Sequence, residues 1–263
     1  MRKAQDIQPD NELEARLRRY DLREQDCADP YDAFRLKYLA RLEAVVAAIR
    51  RQVLAGRLVL EVGCSQANLS AHLAEAGYFA VASDVLPPAL QYARKKQPTG
   101  DWALVASDAR LPAFREGAFD ALVVGELLEH LPRPAEALAR LVALVRAGGT
   151  VVVTVPNGRF FRHHLRPYAG DLDGEIGEAA AGPEGSDHVF DFDREALRSL
   201  VRRVGVEVDG VSLVGSVVMS PRARWAAKAL GVRGVTLLSR MVNRLPMIGE
   251  RISYTLVLVG RRH

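Results

Sequence analysis

The chain has 263 residues, of which 49% are hydrophobic, enough for one large domain with a sizeable core. Its apolar runs are too short to span a bilayer, and its first residues lack the apolar stretch of a secretion signal. With Cys27 and Cys64 as the only cysteines, the composition is typical of a reduced, cytoplasmic protein and excludes a disulfide scaffold.

The net charge of +4 is distributed unevenly along the chain. Residues 221–263 carry nine Lys or Arg against one acid, Glu250, so the basic character belongs to the carboxy-terminal part. Such a segment could face an anionic substrate, an acidic lipid or nucleic acid, or be an ordinary solvated helical surface.

The elements are predicted from the spacing of apolar residues. Residues 1–55 are a lead-in whose first thirty residues are polar and partly mobile or loosely helical, followed by a helix over 32–55. The strands are predicted at 58–63, 79–83, 102–106, 119–124, 150–155, 206–214 and 253–260. The helices between them are predicted at 66–76, 87–97, 134–146 and 194–203. Near-continuous apolar strands that alternate with helices predict an α/β fold, a doubly wound Rossmann-like sheet covered on both faces, over 56–263.

The end of the first predicted strand carries the strongest functional signal. A buried strand ends at Glu61 and Gly63 and turns at once into a helix, which leaves backbone N–H groups and the positive helix end directed at one spot. Asp84 and Asp108 follow the next two strands, so three acids lie at one edge of the sheet and predict a nucleoside-type cofactor. A nicotinamide fingerprint would need glycines where the chain has Ser65 and Asn68, which argues against a dehydrogenase.

In this order, Glu61-Val-Gly63-Cys64, Asp84, Ser107-Asp108-Ala109 and Phe119-Asp-Ala-Leu-Val-Val-Gly125-Glu126-Leu-Leu-Glu129-His130 resemble the class I S-adenosylmethionine-dependent methyltransferases. The segments 34–39 and 188–197 are similar to those of the branch that includes quinone-biosynthesis O-methyltransferases. The resemblance covers about 35–214, with 253–260 as a plausible final strand. It implies a seven-stranded, mostly parallel sheet whose last strand is antiparallel, with helical insertions after the fifth and sixth strands.

The resemblance implies S-adenosylmethionine as the cofactor and a role for each matching residue. Glu61, Gly63 and Cys64 would line its methionine part, with Gly125 or Glu126 at the amino-acid end and Arg35 at the carboxylate. The nucleoside would be held by a second set: Asp84 at the ribose, Val85 on the adenine, and Asp108 with Ala109 at the adenine edge.

The family usually has further glycines where this chain has Ser65 and Ala67. A Cβ is tolerated at both positions if φ is negative, so we expect cofactor binding to survive.

A hydroxyl acceptor would need a base, for which His130, beyond the fourth strand, is the first candidate and His188 the second. Both are equally compatible with a structural role. Glu126, Glu129 and His130 would share one face of a helix and could bind a divalent metal, but three ligands from one short turn are thin support. We therefore assign no metal ligand.

Two insertions are expected to select the substrate. Residues 159–187, with Phe160, Phe161, Leu165 and Tyr168, would form a lid over the methyl-transfer pocket, whereas His163 and His164 are expected to be solvated or part of that lid. Residues 221–249 read as basic amphipathic helices, compatible with a peripheral membrane contact, a homodimer contact or packing on their own domain.

The sequence therefore predicts methyl transfer by direct in-line displacement to a small molecule, such as a hydroxyl of a phenolic, lipid-like or sugar acceptor. The alternative is a scaffold with a degenerate cofactor site, associated with a membrane or a partner. A nucleic-acid substrate is not expected, because no base-methylating motif and no RNA-binding module is present. The predicted location is the cytoplasm, with the inner membrane face as an option.

Overall fold

A seven-stranded sheet with the strand order β3-β2-β1-β4-β5-β7-β6 forms the centre of the fold. The computed structural model describes residues 1–162, 166–171, 188–245 and 247–263. The strands are β1 Leu58–Val62, β2 Phe79–Asp84, β3 Trp102–Ala106, β4 Phe119–Gly125, β5 Val145–Pro156, β6 Val206–Ser216 and β7 Ser253–Arg262. Strand β7 is antiparallel to β5 and β6, and the remaining neighbours pair in parallel. The predicted sheet with its antiparallel last strand is confirmed.

Helices cover both faces of the sheet, which explains why its strands are apolar almost throughout. The helices are α1 Glu12–Arg23, α2 Ala33–Gln52, α3 Asn68–Glu75, α4 Pro87–Lys96, α5 Pro134–Ala143, α6 Arg194–Arg203, α7 Arg224–Val242 and α8 Ile248–Ile252. Buried residues of α2, α3 and α4 form one hydrophobic cluster with the sheet, and buried residues of α5 and α6 form another on the opposite face. Because β1 to β4 run in parallel, the residues that follow them meet at one edge.

Helix α1 is better ordered than the polar sequence of residues 1–30 predicts. Asn11 caps it by accepting a hydrogen bond from the Glu14 amide. Near its other end the fully buried Asp21 lies 2.7 Å from the ammonium nitrogen of Lys96 on α4. Asp21 also accepts hydrogen bonds from Asn68 and Tyr92. A buried polar network therefore helps to fix the helix, beside the apolar contact of Leu17 with Ala89 and Tyr92. The polar network leaves no apolar periodicity in the sequence.

The helix predicted over 134–146 ends earlier, at Ala143, and β5 begins at Val145. Val145 pairs with Phe119 of β4, so the sheet takes up residues that helical spacing had assigned to α5. Gly149 lies so close to this pairing that a Cβ would stand 2.8 Å from the Asp120 carbonyl oxygen. Gly148 and Gly149, just beyond the predicted helix, thus lie inside the strand.

Of the two insertions, the second is described almost completely. Residues 221–249 contain α7, which is kinked at Gly231, and the start of α8, as predicted for basic helices. In the first insertion, residues 163–165 and 172–187 lie outside the described residues, and with them His163, His164, Leu165 and most of the predicted lid. None of the described helices combines the length and the apolar character needed to cross a membrane.

Candidate functional site

A pocket of about 190 Å³ lies at the carboxyl ends of β1 and β4, under α2. The predicted cofactor residues that line it are Glu61, Gly63, Cys64, Gly125 and Glu126. Sequence reasoning assigned no cofactor contact to Glu24, Tyr38, Arg41 and Asn68, which line it too. The pocket is therefore made by the first strand-to-helix turn, the end of β4 and the lead-in helix together.

Glu61 is almost completely buried at the end of β1. Its Oε2 accepts hydrogen bonds from the backbone amide and the hydroxyl of Ser70, at 2.9 and 2.6 Å. These bonds join β1 to the first turn of α3 and use one carboxylate oxygen, so the other remains for an ammonium group of a ligand. Burial raises the pKa of Glu61 to about 7, against the lowering effect of the Ser70 hydrogen bonds.

The turn between β1 and α3 holds three residues at positive φ: Gly63 at 75°, Ser65 at 48° and Ala67 at 51°. The condition under which a Cβ is tolerated at Ser65 and Ala67, a negative φ, is therefore not met. The turn still closes, because Asp84 accepts a hydrogen bond from the Ser65 amide at 2.8 Å. It is held in a conformation that costs roughly 1–2 kcal/mol for each residue that is not glycine.

The predicted nucleoside residues lie on the same rim but outside the enclosed pocket. Asp84 accepts hydrogen bonds from Ser65 and Leu86, which ties the loop after β2 to the loop after β1. Val85 is largely exposed beside it. Asp108 follows β3 and pairs with Arg110 at 2.8 Å, and the hydrogen bonds from that guanidinium lower the pKa of Asp108. Ala109 is half-buried next to it.

The arginine that reaches the pocket is Arg41, not the predicted Arg35. The Arg35 guanidinium donates to the backbone carbonyl of Gln25 instead, and Arg35 does not line the pocket. Arg41 lies further along α2, and its Nη1 is 3.4 Å from a carboxylate oxygen of Glu126. Burial opposes its charge, but Glu126, Tyr38 and Glu24 raise the pKa of Arg41. Arg41 lies next to Leu42 on the apolar side of the predicted helix. This position is the one signal in the sequence that could have identified Arg41 as a pocket residue.

Cys64 contributes a neutral side chain to the pocket wall. It is buried, and burial raises the pKa of its thiol. The thiol therefore stays protonated and unreactive, which is consistent with a lining role rather than a nucleophilic one.

The structure brings together His130 and His188, the two candidate bases, although they come from distant segments. Their rings make an edge-to-face contact with centroids 4.7 Å apart. One ligand atom from each of these histidines and one from Glu129 lie within 4.8 Å of one another. His130 and Glu129 belong to a 3-10 turn, Leu128–His130, and Glu126 precedes it at positive φ, so the three do not share a helix as predicted.

The carboxylate of Glu129 is buried, and neither of its oxygens has a hydrogen-bond partner among the described residues. Burial and the nearby charge of Glu126 raise the pKa of Glu129 well above its ordinary value. A buried carboxylate without a partner is costly unless it is neutral or meets a cation. Two imidazoles and a carboxylate form a donor set that fits a divalent transition metal or zinc.

Comparisons with known proteins show which proteins this chain is similar to. Residues 60–153 match the family model described as "Methyltransferase domain", which covers the rim from Glu61 to His130. A ubiquinone biosynthesis O-methyltransferase of Xanthomonas axonopodis pv. citri is 30% identical over 176 residues, which cover 65% of this chain and 70% of that protein.

Two solved structures share the fold. A chain in the complex between the Haloferax volcanii Trm112 methyltransferase activator and a methyltransferase aligns with a TM-score of 0.61 and 18% identity, covering 98% of this chain and 99% of that one. The magnesium protoporphyrin IX methyltransferase of Synechocystis PCC 6803 with bound S-adenosylmethionine aligns with a TM-score of 0.54 and 15% identity, covering 87% and 81%.

Proposed function

Because this chain belongs to the class I S-adenosylmethionine-dependent methyltransferases, we propose that it methylates a hydroxyl of a small phenolic, lipid-like or sugar acceptor. The enzyme class and the cofactor follow from the family. The observation that carries the hydroxyl acceptor is the pair His130 and His188 beside the buried Glu129. The charges of Glu126 and Arg41, which line the cofactor pocket, act on Glu129. The relative named for O-methylation in ubiquinone biosynthesis supports a phenolic acceptor above the other two.

We assign the cofactor's methionine end to the pocket at the ends of β1 and β4. Glu61 offers a carboxylate oxygen to the ammonium group, and Arg41 offers its guanidinium to the carboxylate in place of the Glu126 pair. We assign the nucleoside to the open part of the rim, with the ribose at Asp84, the adenine against Val85 and its edge at Asp108 and Ala109.

Bound S-adenosylmethionine supplies a methyl group on a positively charged sulfur, already a strong electrophile. The chain's residues hold the acceptor oxygen in line with that methyl carbon and its sulfur, so that the O–C bond forms as the C–S bond breaks. His130 accepts the hydroxyl proton, with His188 as the second candidate, a contribution of roughly 10²–10⁴-fold.

The unpartnered Glu129 carboxylate favours a second role for the histidines. Glu129, His130 and His188 would then hold a divalent cation, which lowers the pKa of an acceptor hydroxyl that approaches it. The two roles differ in a measurable way. If a cation assists, EDTA abolishes methyl transfer without weakening cofactor binding, and added zinc, manganese or magnesium restores it.

The arrangement is tested by titrating the protein with S-adenosylmethionine in a calorimeter. We expect Arg41→Gln to weaken binding tenfold or more, because a charge-assisted hydrogen bond is worth about 1.5–3 kcal/mol. The matched control is Arg35→Gln on the same helix, which should bind like the unaltered protein. Loss on Arg35→Gln alone would reverse the assignment, and no binding at millimolar cofactor would leave a scaffold as the better description.

The acceptor is tested with a panel of phenols, prenylated phenols and sugars, with S-adenosylhomocysteine formation as the readout. We expect turnover with a phenol, and a loss of at least a hundredfold in His130→Asn with cofactor affinity unchanged. Turnover only with amine or carboxylate acceptors would contradict the hydroxyl proposal.

We further propose a cytoplasmic enzyme that contacts the inner membrane face peripherally through residues 221–249. In this segment Trp225, Leu237, Met241 and Met247 are exposed among arginines. Co-sedimentation with anionic vesicles tests this contact, and light scattering tests the homodimer that the sequence left open. The proposal includes no nucleic-acid partner, because a phosphate backbone offers no apolar surface against which the exposed apolar side chains of this segment could pack.

A further inference from the structure

A second cleft lies between α2 and the basic arm, the name used here for α7, α8 and the described residues between them. It has a volume of about 660 Å³ and shares no lining residue with the cofactor pocket. Its floor contains Val214, Val257 and Val259, on the face of the sheet that α2 covers. The floor is therefore apolar, and the volume lies in the range of ligand sites.

The wall formed by α2 is made of small side chains. Ala44, Ala47 and Ala48 line it, and Arg51 follows at the same helical face, seven positions after Ala44. These small side chains leave space in the cleft beside α2, called the channel below, next to the Arg51 guanidinium.

The rim of the cleft carries more positive than negative charge. Four arginines line it against two glutamates: Arg51, Arg194, Arg240, Arg244, Glu43 and Glu250. Arg240 is 3.7 Å from Glu43, and Arg194 is 3.2 Å from Glu250. Among the described residues, no carboxylate oxygen lies within 4.0 Å of Arg51 or Arg244, which stand on opposite walls. These two guanidinium groups remain for an anion.

The cleft opens beside the exposed apolar side chains of the basic arm. Leu245 and Met247 line its mouth and are 47% and 85% exposed. The cleft offers apolar side chains at its mouth and floor and two guanidinium groups at its rim. A ligand that matches both has an apolar part and an anionic part. A second copy of the chain would bring the same basic surface to itself, and a nucleic acid has no hydrocarbon for a valine floor.

We propose that this cleft binds one anionic phospholipid, with an acyl chain on the valine floor and the phosphate between Arg51 and Arg244. The site is distinct from the methyl-transfer site, and it rests on the membrane contact proposed above for residues 221–249, for which it names the lipid. It makes the basic arm a surface that selects a lipid, since a zwitterionic headgroup would bring its own cation to the two arginines.

The test is calorimetric titration of the full chain with dihexanoyl phosphatidylglycerol below its critical micelle concentration. Dihexanoyl phosphatidylcholine, with the same acyl chains, is the control ligand. We expect at least tenfold tighter binding of the anionic lipid, with one molecule bound per chain. Equal affinity for the two headgroups, or many weak sites per chain, would overturn the proposal.

Three variants locate the site. Arg244→Gln should weaken phosphatidylglycerol binding about fivefold, the effect of one charge at a lipid headgroup. Arg233→Gln removes the same charge from an exposed position of α7 in the same basic arm, outside the cleft, and should bind normally. Ala47→Phe fills the channel and should abolish binding.

Each variant is also titrated with S-adenosylmethionine to show that it is folded. Equal losses in Arg244→Gln and Arg233→Gln would reduce the effect to general charge attraction and contradict a site. Normal lipid binding by Ala47→Phe would exclude the channel. Because cofactor binding and methyl transfer are measured separately, failure of the lipid site leaves the enzymatic proposal standing.

Discussion

Ser65, Ala67 and Glu126, around the cofactor pocket, hold a left-handed backbone conformation although each carries a side chain. The hydrogen bond from the Ser65 amide to Asp84 and the pair between Glu126 and Arg41 hold two of them in place. Strain of this kind persists where the surrounding structure determines it, and it is concentrated at functional sites. The strain at the pocket is therefore offset by stabilising contacts elsewhere in the fold.

Ser65→Gly is expected to stabilise the protein by about 0.5–1 kcal/mol. Relief of the left-handed strain exceeds the extra entropy of glycine in the unfolded chain. Urea unfolding measures the change, with Gln66→Gly as the matched control. Gln66 is not among the residues at positive φ, so that variant should be destabilised by a similar amount. Destabilisation by both would show that the turn is unstrained.

The pKa of about 7 at Glu61 predicts that cofactor affinity rises with pH. An ammonium group is accepted by the ionised carboxylate, which is the minor form below that pKa and the major form above it. Affinity for S-adenosylmethionine should therefore increase about fivefold from pH 6 to 7, about tenfold from pH 6 to 8, and level off above pH 8. Titrations in Glu61→Gln should be weaker and flat over this range. A flat profile in the unaltered protein would exclude Glu61 as the ammonium partner.

At the scale of elements, α1 is held by a buried ion pair as well as by the apolar contact of Leu17 with Ala89 and Tyr92 of α4. Lys96 is 1% exposed, and its ammonium nitrogen lies 2.7 Å from a carboxylate oxygen of Asp21 and 3.6 Å from one of Asp26. It also donates to Asn68, the first residue of α3, which lines the cofactor pocket. The pair thus joins the lead-in helix to the wall of the pocket.

Lys96→Met should cost about 3–5 kcal/mol, because it leaves the buried Asp21 carboxylate without its cation. The double variant Lys96→Met with Asp21→Asn should recover part of this loss. Urea midpoints measure both, and Arg94→Met on the exposed side of α4 should cost less than 1 kcal/mol. An equal loss in the double variant would mean that packing, not charge, holds α1.

The strands could be predicted because a strand that is buried on both faces must be apolar. The acids at their ends could be predicted because the edge of the sheet that binds a polar ligand must carry polar side chains. The turn at Leu128–His130 could not, since apolar spacing does not separate one 3-10 turn from a short helix. The contact of His130 with His188 and the position of Arg41 are set by tertiary packing between distant segments. Local spacing contains no signal for such contacts.

At the scale of the whole molecule, the two clefts lie on the same face of the sheet and share α2 as a wall. The side of α2 with Tyr38 and Arg41 borders the cofactor, and the side with Ala44 and Ala47 borders the basic cleft. A ligand in either cleft restrains the same helix, so each should favour binding of the other modestly.

S-adenosylmethionine at a hundredfold excess over its dissociation constant should stabilise the fold by about 2.7 kcal/mol. For a domain of this size that corresponds to a rise in melting temperature of roughly 5–10 °C. Thermal unfolding monitored by circular dichroism, with and without cofactor, measures it. Adenosine at the same concentration is the control and should give a smaller rise, because it leaves the methionine pocket empty.

The buried pair of Asp21 and Lys96 also sets an order of events during synthesis. Asp21 leaves the ribosome long before Lys96, so the first helix has no cation to receive its carboxylate until α4 has emerged. Asn68, between them in the chain, reaches its final hydrogen bonds at the same moment. The network around Asn68 therefore forms only after α4 has emerged, and the rest of the pocket wall waits for the end of β4 with Gly125 and Glu126.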